Sequence, residues 1–180
     1  MTVYRVEEKS TIAPLFEGWN QTMIWSCLQD CMGVAFADDL SNPRSAQIVT
    51  GPFCYFAGTP NRELIGNHLG FSFDMVPQSR EWEDAIEEVY GDRVSRRMRY
   101  ATKKEAEAFD RSRLRNMVAA LPEEYRIKAI DRAIYEQIMA SEWAADLCEN
   151  FENGESFVKN GLGFVVVRGG DIVSGASSYA

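Results

Sequence analysis

Apolar residues near the start of the chain recur at helical spacing. Leu15, Phe16, Trp19, Met23, Cys27 and Cys31 follow Pro14 at intervals of mostly three or four, and Ile24 and Leu28 widen the stripe. This predicts a helix buried between two layers and stopped at Gly33. Asn42-Pro43 marks a turn, after which Ala46 to Thr50 and Phe53 to Gly58 read as paired strands around Gly51-Pro52, and Phe71 to Val76 as a further strand. The period then returns to helical. Trp82, Ala85, Ile86, Val89 and Tyr90 match the i, i+3, i+4, i+7, i+8 template between a Ser79 cap and a Gly91 stop. Arg97 to Ala101 reads as a strand, Thr102 to Glu105 as a capping box, and Asp110 as the cap of a helix with Leu114, Met117, Val118 and Leu121 on one face.

After Pro122 the pattern restarts. Tyr125 to Ile130 alternates as a strand, Asp131 caps a helix bearing Ala133, Ile134 and Ile138, and Ser141 opens a second helix with Trp143, Ala144, Leu147 and Phe151. Asn153-Gly154 breaks that helix before a short one at Phe157 and Val158. The final stretch from Gly161 reads as two strands joined at Gly169-Gly170, because paired glycines supply the positive φ angles of a two-residue hairpin. The apolar last strand leaves an edge of unpaired backbone groups, so more chain or a partner is expected beyond it.

Composition narrows the function classes. The 180 residues are 46% hydrophobic, enough for a substantial core, and no apolar run approaches the roughly 20 residues of a membrane span. Without a signal-peptide core at the start, the cytoplasm is the expected compartment and the four cysteines are expected to be buried free thiols. One histidine, His68, and scattered cysteines do not make a zinc site. They also do not make a Ser-His-Asp or Cys-His hydrolase, since no Gly-x-Ser-x-Gly elbow is present and burial would raise the thiol pKa of Cys27 and Cys31. A net charge of −8 argues against nucleic-acid binding. Arg93 to Arg115, with nine basic and three acidic residues, carries +6 and reads first as a solvated face, second as a site for an anionic ligand or acidic partner.

Several blocks together resemble a bacterial family of GNAT acetyltransferases, the group that includes a zwittermicin A resistance acetyltransferase. They include Phe16-Glu-Gly-Trp19, Asn42-Pro-Arg-Ser-Ala46, Gly51-Pro-Phe-Cys-Tyr-Phe-Ala-Gly58, Met75-Val-Pro77, Glu87-Glu-Val-Tyr-Gly91, Ile130-Asp131 and Ile172-Val-Ser-Gly-Ala-Ser-Ser-Tyr179. The resemblance implies an α/β (α+β) chain of mixed sheets flanked by helices. Residues 1–122 would be a degenerate GNAT-like domain, and 123–180 the opening of an acetyl-CoA-dependent GNAT domain.

The resemblance further implies acetyl transfer from acetyl-CoA to a small-molecule amine. The glycine-rich loop and helix N-terminus that bind the acetyl-CoA pyrophosphate in this superfamily have no counterpart in the sequence. The chain is therefore expected to be the N-terminal portion only, to bind no acetyl-CoA alone and to be inactive by itself. The acceptor side is expected at the loop between the two helices and at the last strand, with Glu142, Trp143, Asp146, Ser177 and Tyr179 as contacts. Read from the residues alone, Trp143 fits a core stripe, and Glu142 and Asp146 fit helix N-terminal charges. A rival from another class is a noncatalytic binding or regulatory module whose last strand pairs across a homodimer or onto a partner.

Overall fold

The computed structural model describes residues 3–70, 73–100, 102 and 105–178, in a mixed α/β arrangement of two sheets flanked by helices. The first sheet has the order β1 (Tyr4–Arg5), β2 (Val34–Ala37), β3 (Ser45–Thr50), β4 (Phe53–Gly58), β5 (Asp74–Pro77). All neighbours are antiparallel except β4 and β5, whose parallel pairing is bridged by a crossover containing α2 (Arg62–Gly66). Every residue of β3 is buried, as its central place requires.

Strand alternation assigns the two sides of this sheet. Ala46, Ile48, Tyr55 and Ala57 pack with Ile12, Phe16, Ile24 and Cys27 on one side, while Val49, Cys54 and Phe56 pack with Leu64, Ile65, Trp82 and Ile86 on the other. The second side is closed by α3 (Arg80–Tyr90), which starts after Ser79 and ends at Gly91, φ 53°. Within it, Trp82 is fully buried, stacks on Phe56 at 5.1 Å and donates its indole N–H to the Gly58 carbonyl at 2.8 Å.

The helix expected from Pro14 to Cys31 is interrupted. A 3-10 turn at Ala13–Phe16 is followed by Gly18 at φ +76°, and a fresh helix, α1 (Thr22–Leu28), starts after extended Gln21. Both pieces bury residues on the same side of the sheet, so the apolar spacing survives the break. β1 and β2 were not among the expected elements. Arg97 to Tyr100 forms no strand; the segment is pinned instead by Arg96, whose guanidinium meets Glu87 at 2.5 Å and Glu83 at 2.6 Å on α3. Ala101, Lys103 and Lys104 lie outside the described residues. Asp110 does cap α4 (Arg111–Ala119), accepting from the Arg113 N–H at 2.9 Å, but Leu114, Met117 and Val118 are exposed rather than packed.

The second sheet is β6 (Tyr125–Ala129), β7 (Gly163–Arg168) and β8 (Asp171–Ser177), antiparallel throughout with β7 central. The hairpin turns at Gly169 and Gly170, φ 60° and 103°, as expected. One face is covered by α5 (Arg132–Met139) and α6 (Gly154–Asn160), capped by Asp131 and Asn153. Their core joins Ile134, Tyr135, Ile138, Phe151 and Phe157 to Val165 and Val167, and it takes in Met32 from the turn after α1. On the opposite face Ile127 and Phe164 are 45% and 48% exposed. No helix of the described residues is long and apolar enough to cross a membrane.

Replacing Trp82 by alanine is expected to cost about 3–5 kcal/mol in chemical denaturation, from the cavity under α3 and the lost indole bond. Trp82→Phe is expected to cost about 1–3 kcal/mol, chiefly for an unsatisfied Gly58 carbonyl.

Candidate functional site

The residues expected to meet an acceptor lie on the segment after α5. That helix ends at Ala140, and the Ser141 carbonyl accepts from the N–H groups of Ala144 and Ala145 at 3.3 and 3.1 Å. The chain continues as a 3-10 turn at Ala145–Leu147, not as the second helix expected from Ser141. Ala144, Cys148 and Phe151 are turned inward and buried. Glu142, Trp143 and Asp146 are left on the solvent side, with Trp143 56% exposed. Trp143 is therefore not part of the core stripe it fitted in the sequence.

This segment is fastened to β8. Ser177 lies on the covered face of the sheet and donates its hydroxyl to the Leu147 carbonyl at 2.5 Å. Two residues earlier, Gly175 leaves the space that Leu147 fills, since a Cβ there would stand 2.5 Å from Leu147 Cδ1. The loop and the last strand are in contact through Leu147. Ser177 acts within it as a fastening, its proton already committed, while Tyr179 lies outside the described residues. Gly175 within the last strand, which also carries a register shift between its Ile172 and Ser174 pairings, was the sequence signal for this close approach.

The thiols of Cys27, Cys54 and Cys148 are poor nucleophiles. Burial pushes Cys27 and Cys148 from 9.0 up to about 11 and Cys54 up to about 12, the last against a hydrogen bond from the Gln47 amide at 3.0 Å. Cys31 is half-buried, a correction to the reading of four buried thiols. Among the described residues no group of three or more His, Cys, Asp or Glu is placed to hold a metal ion.

The starts of α2 to α6 are already occupied or acidic, whereas α1 starts with neither a side-chain cap nor an acidic first-turn residue. Asn61, Asp110, Asp131 and Asn153 take up first-turn N–H groups of α2, α4, α5 and α6 with their own side chains. In addition, α3 carries Glu81 and Glu83 in its first turn. At α2 to α6 an anion would have to displace a cap or sit beside a carboxylate.

With two flanked sheets and this loop-to-strand unit in place, comparison with known proteins defines the class. The sequence model of the GNAT acetyltransferase family matches residues 13–180. A crystal structure of a GCN5-related N-acetyltransferase-like protein from Streptococcus suis 89/1591 superposes with a TM-score of 0.81 at 44% identity, over 97% of this chain and 71% of that one. No protein of curated function matches. The chain belongs to the GNAT acetyltransferase family. The family match runs through to residue 180 and does not bear out the expectation that only the N-terminal portion is present.

Because folding holds the thiols of Cys27, Cys54 and Cys148 protonated above their unfolded value of 9.0, their contribution to stability is fully present below pH 9. It falls as pH rises through about 11 to 12. Denaturation midpoints measured from pH 8 to 11 should decline, and the decline should be shallower in Cys27→Ala.

Proposed function

We propose that the protein is an N-acetyltransferase that transfers an acetyl group from acetyl-CoA to a small-molecule amine, and that the 141–148 segment with the end of β8 forms the acceptor side. The division into 1–122 and 123–180 fits this reading, since the proposed acceptor side lies wholly in the second part. The observation that carries the proposal is the outward display of Glu142, Trp143 and Asp146 on one short turn held against β8. Two carboxylates draw in an ammonium group, and an exposed indole face offers it a cation–π contact worth about 0.5–1 kcal/mol at an exposed site. Ser177 contributes by fixing the turn, so its role is positioning.

The test is release of free CoA thiol from acetyl-CoA, followed with a panel of primary amines and neutral amide controls. Amine-dependent release is expected. Glu142→Gln with Asp146→Asn is expected to raise KM for the amine by about tenfold with little change in kcat, the signature of lost substrate binding. Turnover with no amine in the panel would overturn the reading.

A second reading is favoured by the edge position of β8 and the bare side of its sheet at Ile127 and Phe164: a noncatalytic module that pairs this strand with a second copy or another protein. Light scattering after size exclusion separates the two, because the pairing with a second copy requires a dimer and the transferase does not.

A further inference from the structure

The first sheet carries a cavity remote in sequence from the acceptor segment. It has a volume of about 340 Å³ and lies at the outer edge of β5, between that strand, the C-terminal end of α3 and the loop after α2. Its floor is apolar, formed by the half-buried side chains of Phe73, Met75 and Val94 and by the ring of Tyr90. Its rim is polar, formed by His68 and Arg93.

Each rim group is held in a defined state. The Tyr90 hydroxyl donates to the Ile65 carbonyl at 3.0 Å, which ties the floor to α2. Arg93 lies over the Tyr90 ring, 5.3 Å from its centre, and donates from Nε and Nη2 to the carbonyls of Tyr90 and Val89 at 3.3 Å each. This leaves the Nη1 donors unused among the described residues. The His68 ring accepts the Gly70 N–H on Nδ1 at 3.1 Å, which places the proton of the neutral ring on Nε2 as a second donor. Among the described residues no carboxylate lines the cavity: Asp74 falls on the alternate face of β5, and Glu88 is paired with Arg62.

We infer that this cavity is a binding site for a small organic carboxylate with a single ring or short apolar body, the body on Phe73, Met75 and Val94 and the carboxylate at Arg93 and His68. The volume is at the small end of the range of about 300–1,000 Å³ for ligand sites, which suits a small ligand. The charge at the rim selects an anion, so the site is distinct in chemistry from the acidic display at Glu142 and Asp146.

Titration of the ¹⁵N-labelled full chain with 3-phenylpropanoate, and separately with 3-phenylpropylamine, tests it. The carboxylate should give saturable amide shifts at 66–70 and 90–94, and the amine none there. Arg93→Gln should weaken the carboxylate by about tenfold, as loss of a charge-assisted contact. Met75→Trp should abolish binding by filling the floor, and if that variant alters the spectrum globally, His68→Gln is read in its place and should weaken binding. Absence of saturable shifts up to about 10 mM, equal response to the amine in these segments, or wild-type affinity in Arg93→Gln would overturn the inference. None of these outcomes depends on acetyl transfer.

Discussion

Gly58 is the point on which the first sheet depends. At φ +80° a Cβ would stand 2.1 Å from the Arg44 carbonyl oxygen, so the chain can close there only with glycine. The Gly58 N–H donates to the Gln78 side chain at 3.0 Å, and Gln78 donates onward to the Leu15 carbonyl at 2.7 Å. The Gly58 carbonyl receives the Trp82 indole. One residue thereby sets the relation of β4 to the start of β3, the end of β5, the N-terminal turns and α3. Of these links the Trp82 bond is half-buried, so its loss would leave the Gly58 carbonyl unpaired away from water, while the two bonds through Gln78 are exposed.

The second sheet is built on a similar economy of contact, with Ser177 and Gly175 together locating the Leu147 turn. The pairing is complementary: the glycine removes a side chain so that Leu147 can approach, and the serine supplies the bond that holds it. On the proposed reading, an acceptor meets a short turn that displays charge and an aromatic ring outward while its other side is core. A site of that form can bind by attraction at its surface without a deep enclosure.

Much of this architecture was legible in the sequence where signals are local. The β3 and β4 pair, α3 between Ser79 and Gly91, the Asp110 and Asp131 caps and the Gly169-Gly170 hairpin each follow from neighbouring residues, and each is present. Misreadings arose where a long-range choice decides. The stripe from Leu15 to Cys31 is compatible with one helix or with two pieces against one surface, and only the left-handed Gly18 distinguishes them. Trp143 and Ala144 both look like core by spacing, but the chain leaves α5 in a turn that buries only Ala144 and sets Trp143 outward. β2 is only four residues long and is defined by pairing to β3, which no local pattern announces. The lining of the cavity at β5 joins positions 68, 75 and 93, whose proximity comes from the crossover and not from any motif.

Met32 is the residue of the first segment that is buried in the core of the second sheet. Synthesis proceeds from the N-terminus, so this side chain, with α1 and the strands around it, is available well before β7 and β8 leave the ribosome. The last hairpin, marginal as an isolated pair of strands, would then meet a wall partly in place. The order of emergence along the chain is thus built into which side supplies the shared residue.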